Sequence, residues 1–316
     1  MDSELSSEIV VVGGGVIGLT TAVVLAERGR RVRVWTRDPV ERTTSAVAGA
    51  LWWPYRIEPA ASARAWALRS LEVYEALAAD PDRTGVRMVE GVLGEGDLDE
   101  TRAWLGERVP GLRAATGAEY AGSGLWARLP LVDMSVHLPW LRRRLSEAGG
   151  VVESRAVADL AAVAAPVVVN CTGLGARELV PDASVRPVRG QVVVVENPGV
   201  RTWVVSTGGD GGMAYFFPHR DRLVLGGTAE EDAWSREPDP AVAEAIVRRC
   251  AALRPEIAGA RVLGHRVGLR PARHAVRLER EALPGGRVLV HNYGHGGAGV
   301  TVAWGCAGEA AGLASP

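Results

Sequence analysis

The stretch Ile9-Val10-Val11-Val12-Gly13-Gly14-Gly15-Val16-Ile17-Gly18-Leu19 decides the fold. Ile9–Val12 is an unbroken β-branched run, which predicts a buried strand. Leu19–Arg28 carries a helical pattern that Gly29 closes, and Arg31–Trp35 alternates charged and apolar residues as a neighbouring strand would. Strand, glycine turn, helix and strand form a βαβ unit, and only in that setting does the glycine spacing carry weight. Gly13 and Gly15 let the backbone turn tightly and approach a pyrophosphate, Gly18 lets the helix lie close on the strand, and the helix amino terminus adds partial positive charge. Val16 and Ile17, at that terminus, belong to the same expected cofactor contact. An acid about 20 residues further on holds the ribose in such units. Asp38 stands there, but Arg37 precedes it, and the sequence leaves open which of the two faces the adenosine.

The rest of the composition narrows the chemistry. In 316 residues there are 36 basic and 37 acidic side chains, so no broad field is available to hold nucleic acid or an anionic membrane. All the basic residues are arginine. Without a lysine, internal-aldimine pyridoxal chemistry, Schiff-base aldolases and a phosphate loop with its lysine are excluded. Cys171, Cys250 and Cys306 lack the spacing of a zinc site or a disulfide framework, which suits a reducing cytoplasm, and no metal is expected. The acidic, polar amino terminus does not resemble a secretory leader, and no run approaches the roughly 18 to 20 apolar residues that span a bilayer.

Beyond Tyr55 the pattern turns to amphipathic helices at 61–79, 98–108 and 138–148, then a short buried strand at Val167–Val169. The segments 190–196, 202–206, 213–218 and 222–225 suggest an antiparallel meander. Strands of parallel and antiparallel character are interspersed, which predicts two domains assembled from separate chain segments. Near the end, His295-Gly296-Gly297-Ala298-Gly299-Val300-Thr301 is a glycine-rich turn opening a helix at 303–313, whose amino terminus could stabilise negative charge on a flavin ring.

These segments, taken in order, resemble the D-amino-acid oxidase family over nearly the whole chain. Besides the opening glycine turn, the resemblance rests on Thr43-Thr44-Ser45, on Val47-Ala48-Gly49 and Leu51-Trp52-Trp53-Pro54-Tyr55, and on Val169-Asn170-Cys171-Thr172-Gly173. Arg189-Gly190-Gln191 follows. The most specific stretches are Gly268-Leu269-Arg270-Pro271-Ala272-Arg273 with Arg277-Leu278-Glu279, and His291-Asn292-Tyr293-Gly294-His295-Gly296-Gly297.

The resemblance implies an α/β fold in which a Rossmann-like FAD-binding domain (1–55, 135–190 and 275–316) is interleaved with an antiparallel-sheet, α+β substrate domain (56–134 and 191–274). It implies FAD contacts from Thr43, Thr44, Ser45, Gly49, Ala50, Leu51, Val157 and the tail turn Gly296–Thr301. Arg270 would hold the substrate carboxylate, Tyr215 would assist it, and the Gly297 carbonyl would accept from the amino group. Leu51, Trp53, Val205 and Phe217 would form an apolar wall favouring neutral apolar or aromatic D-amino acids. The implied reaction is oxidative deamination by hydride transfer to flavin N5, with molecular oxygen as acceptor and keto acid, ammonia and hydrogen peroxide as products. A homodimer is compatible with it. His291 and His295 are expected to brace the glycine turn rather than act as acid and base.

One departure stands out. Many family members carry a lid with a second tyrosine ahead of the position of Tyr215, but Ser206-Thr207-Gly208-Gly209-Asp210-Gly211-Gly212 has none, so a short hairpin connection and an open entrance are expected. Glycine or sarcosine oxidase, D-aspartate oxidase, a D-amino-acid dehydrogenase, and a nucleotide-binding protein without turnover stay open as alternatives.

Overall fold

The computed structural model describes residues 8–207 and 212–315. Strand β1 (Glu8–Val12) runs into the glycine turn, and helix α1 (Val16–Glu27) follows at once. The helix starts three residues before the expected Leu19 because Gly15, in extended backbone, serves as its N-cap. Strand β2 (Arg31–Thr36) then lies parallel to β1. After α2 (Ala60–Leu77), strands β3 (Val86–Gly94) and β4 (Gly124–Val132) pair antiparallel. Helix α3 (Met134–Glu147) begins four residues earlier than its apolar pattern suggested, since Asp133 accepts from the Ser135 amide and caps it.

Strand β5 (Val151–Ser154) pairs with β2, and β6 (Val167–Asn170) with β1, both in parallel. The strands expected as a meander are β7 (Arg186–Glu196), β8 (Trp203–Ser206), β9 (Ala214–Pro218) and β10 (Arg222–Gly226); β8, β9 and β10 pair in succession, but β7 pairs with β10 and not with β8. Helix α4 (Pro240–Leu253), strand β11 (Val262–Leu283), strand β12 (Arg287–His295) and helix α5 (Gly299–Leu313) complete the chain. Helix α5, like α1, starts earlier than expected, directly on its glycine turn.

All these strands join one sheet. Its order is Arg113–Ala114, β4, β3, β8, β9, β10, β7, β11, β12, β6, β1, β2, β5. From β12 to β5 every pairing is parallel, whereas from β12 back through β11, β7, β10, β9 and β8 every pairing is antiparallel. Strand β11 is the bridge. Its first half pairs with β7 through Ala272, and its second half pairs with β12 from Arg277 onward. The sheet is thus of mixed α/β character, continuous between its parallel and antiparallel halves.

Packing follows the same plan. One apolar core runs from Val11, Val34 and Leu19 through Trp52 and Trp66 to Leu129 and Trp203, so it spans both halves. A second core places Ile246 and Cys250 of α4 against Phe216 and Leu225. A third covers the other face of the parallel half, with Val10, Val12, Trp35, Leu160 and Leu289. Among the described residues no helix is long and apolar enough to cross a membrane.

Candidate active site

A cavity of about 540 Å³ opens where the carboxyl ends of β1 and β2 meet the β7–β11 region. At one end lie Gly13–Ile17, Arg37 and Asp38, with Thr43–Ser45 and Val157; at the other lie Arg270, Tyr215, Phe217, Val205, Leu51 and Trp53. Gly49, Ala50, Gly296, Gly297, Gly299 and Val300 line it as well. The wall thus gathers residues from opposite ends of the sequence.

The segment 43–53 runs between the two ends. Ser45 Oγ accepts from the Val16 amide at 2.9 Å, Thr44 Oγ1 donates to the Leu269 carbonyl at 3.0 Å, and Gly49 faces the Phe217 ring. A Cβ on Gly49 would come within 2.6 Å of that ring. The segment can lie against both the glycine turn and the aromatic wall because its small residues leave room for them.

Glycines also seat the polar side chains. Arg270 on β11 lies over Gly190 of β7, where a Cβ would fall 2.4–2.5 Å from the guanidinium atoms, and its Nη1 donates to the Thr228 carbonyl at 2.9 Å. Tyr215 on β9 lies over its cross-strand partner Gly226, where a Cβ would fall 2.1 Å from the ring. The Tyr215 and Phe217 rings stack with centroids 4.7 Å apart. Burial pushes the Tyr215 phenol up, and the Arg270 guanidinium beside it opposes that shift. Gly297 sits against Arg270, 3.5 Å from its Cδ measured from an added Cβ.

Three expected contacts sit behind the wall. Gly18 does not border the cavity; a Cβ there would meet the Gly13 carbonyl at 1.9 Å, so this glycine permits close packing of α1 on the turn. Ala298 is buried as the N-cap of α5. The Thr301 hydroxyl accepts from the Trp53 amide and donates to the Trp53 carbonyl, which ties α5 to the 51–55 loop. Arg37 and Asp38 both border the cavity and pair with each other at 3.0 Å.

Other lining residues had no cofactor or substrate role assigned from sequence, although His295 was expected to brace the glycine turn. Among the described residues the buried polar atoms Trp35 Nε1, Asn292 Oδ1 and His295 Nε2, and the Tyr55 hydroxyl, have no hydrogen-bond partner, and all four residues line the cavity. Burial pushes the His295 imidazole down to about 3, so it is neutral. His291 is buried, with Nε2 at 3.0 Å from Glu281 and Nδ1 at 3.3 Å from Asn170, which braces β12 against β6. Of the expected open entrance, residues 208–211 lie outside the described residues; β8 and β9 on either side of them pair antiparallel.

The family described as FAD dependent oxidoreductase matches residues 8–313. The chain belongs to this family of FAD-dependent oxidoreductases. Among its relatives, a D-amino-acid oxidase of Streptomyces coelicolor is 76% identical over 316 residues, covering 100% of this chain and 99% of the relative. A D-aspartate oxidase of Homo sapiens is 36% identical over 330 residues, covering 98% of this chain and 95% of the relative. The glycine oxidase of Geobacillus kaustophilus is 21% identical, with a TM-score of 0.80 over 97% of this chain and 94% of that one, a likeness of fold.

FAD is therefore the cofactor, and the residues present fit it. Gly13, at φ +122°, would place a Cβ 2.3 Å from the Cys171 carbonyl, so only glycine makes this turn. The amino terminus of α1 opens on the same space, and the unpartnered polar atoms along the wall are groups that a long, polar nucleotide can satisfy. Among the described residues no His, Cys, Asp and Glu cluster could hold a metal.

Proposed function

We propose that this oxidoreductase deaminates neutral, mainly apolar or aromatic D-amino acids, with oxygen as the acceptor. The observation that carries the reading is the Arg270–Tyr215–Gly297 constellation, set in an apolar wall within the cavity that the glycine turn also borders. When bound, FAD supplies the acceptor for the substrate α-hydrogen and its electron pair, which oxygen then carries on as peroxide.

The chain itself supplies positioning. The guanidinium of Arg270 presents a planar fork to the carboxylate, the Tyr215 hydroxyl donates to the same group, and the Gly297 carbonyl accepts from the amino group. Two fixed points then set the direction of the α-hydrogen. His295, which lines the cavity, is held neutral by burial and adds no charge there. Leu51, Trp53, Val205 and Phe217 give the substrate side chain an apolar wall, and because Arg56 also borders the cavity, that wall disfavours a second carboxylate without excluding it. The resulting imino acid hydrolyses in water to a keto acid and ammonia.

In the same reading, segments 1–55, 135–190 and 275–316 serve the nucleotide and segments 56–134 and 191–274 serve the substrate. The test is a panel of D- and L-amino acids assayed for oxygen-dependent peroxide. D-valine and D-phenylalanine are expected to exceed D-aspartate in kcat/KM, and L-enantiomers to give no peroxide. Flavin bleaching without peroxide would assign a dehydrogenase instead, and greater efficiency with D-aspartate would refute the apolar preference.

A further inference from the structure

The two points that hold the substrate in the proposed reading, Arg270 and Gly297, lie on either side of an irregularity in the sheet. Ala272 of β11 pairs with His295 of β12, and the Gly296 amide donates to the Pro271 carbonyl at 2.9 Å. The next paired residues are Arg277 and Tyr293, so 273–276 bulge opposite the single residue Gly294. Gly294 has φ +88°, and a Cβ there would fall 2.9 Å from that of Arg273. Such an excess of residues on one strand bends it and re-aims its neighbours.

A single carboxylate oxygen spans this bulge. Asp182, in the loop before β7, accepts at Oδ2 from Arg273 Nε of β11 at 2.9 Å and from the Tyr293 hydroxyl of β12 at 2.8 Å. Its Oδ1 accepts from the Ser184 amide at 3.1 Å and the Ser184 hydroxyl at 2.5 Å, which fixes the rotamer. The Asp182 and Arg273 side chains are 10% and 17% exposed, and Tyr293 is 1% exposed. Arg273 Nη1 also donates to the Ala275 carbonyl inside the bulge, and Arg277 donates to the Tyr293 oxygen. Burial pushes the Asp182 carboxyl up, but the bonds from Ser184, Tyr293 and Arg273 outweigh it and hold the group well below the usual carboxylate range.

We propose that Asp182 is a positioning residue that sets the offset between Arg270 and the Gly297 turn by holding Arg273 and Tyr293 to one oxygen across the bulge. Arg270 lies three residues before Arg273, and Gly297 four after Tyr293. Relaxation of the bulge therefore shifts the carboxylate clamp relative to the amine acceptor without removing either. A ligand held at one point follows the clamp, whereas a ligand held at both loses its alignment. This inference rests on the two-point reading of the substrate.

The test is the Asp182→Asn holoenzyme, which keeps the shape of the side chain but puts an amide in place of the shared acceptor. Two ligands are compared: a D-amino acid, and benzoate, a carboxylate without an amino group whose binding is read from the flavin absorbance. The expected result is a drop of about 100-fold in kcat/KM for the D-amino acid with a change of under about threefold in benzoate Kd, because small misplacements of reacting atoms are costly while a single anchor tolerates them. Equal weakening of both ligands, or no change in either, overturns the proposal. Should the Asn variant not retain flavin, Tyr293→Phe removes one of the two donors, and the same split at smaller magnitude decides the matter. Wild-type enzyme is assayed first: absence of peroxide with D-amino acids sinks the functional reading, whereas with active wild type the variant ratios judge Asp182 alone.

Discussion

The nucleotide end and the substrate end of the cavity are built in opposite ways. At the first, a contiguous run from Val12 to Ile17 presents backbone, and Gly13 is needed for what its own main chain must do. At the second, Arg270, Tyr215 and Phe217 come from two separate strands; the glycines beneath Arg270 and Phe217, Gly190 and Gly49, lie far away in sequence, and Gly226 meets Tyr215 from the neighbouring strand. A cofactor common to many enzymes can be held by a local motif. A particular substrate needs side chains aimed by the register of the whole sheet, and that register is a long-range property.

The sharpest way to break this contrast is to change one residue at each end. Gly13→Ala combines φ +122° with a Cβ 2.3 Å from a main-chain carbonyl that cannot swing aside, so the protein is expected to purify without yellow colour, as its absorption spectrum would show. Arg270→Ala should do the reverse, retaining flavin while kcat/KM for D-amino acids falls by about two to four orders of magnitude, the cost of roughly 3 to 5 kcal/mol for truncating a desolvated charged partner. Loss of flavin in the second variant would show that the two ends are not separable.

Gly190→Ala is the intermediate case. Its Cβ would press on the far end of a flexible side chain, so the guanidinium shifts instead of disappearing, and a KM increase of about 10- to 100-fold is expected with flavin content intact. If steady-state kinetics show no change, the guanidinium does not depend on its glycine seat.

The smallest effect is on stability and lies outside both ends. His137 and His219 are buried, and burial pushes each down to about 4 from the usual 6.5. Between those values the unfolded chain binds the protons that the folded chain refuses. Stability present above pH 6.5 is therefore lost as pH falls towards 4, by up to about 1.4 kcal/mol per pH unit for each histidine. Denaturant midpoints measured from pH 7 to 4.5 should decline, and His137→Gln should flatten the slope.

How much the sequence disclosed follows from the same contrast. The βαβ unit was legible because its signals are adjacent: a β-branched run, spaced glycines, a helical pattern and Gly29. Arg270 was not legible as a type among 36 arginines; only its place in Gly268–Arg273 marked it. Gly226 gave no signal, since its partner Tyr215 is known only from strand pairing. Strands β3 and β4 were missed because Val86–Gly94 mixes charges and glycines with apolar residues and lacks strict alternation. Helix α4 was missed although Asp239-Pro240 is a start signal, with Asp239 accepting from the Ala241 and Val242 amides. Asp182 lies in a loop whose importance appears only when Arg273 and Tyr293 are brought together.

Strand β11 also bears on recombination between relatives. Because its 22 residues serve both halves of the sheet, a chimera joined anywhere within 262–283 inherits its carboxylate clamp from one parent and its partner strand from another. Crossovers that move substrate preference from one relative to another should carry 262–295 as a block.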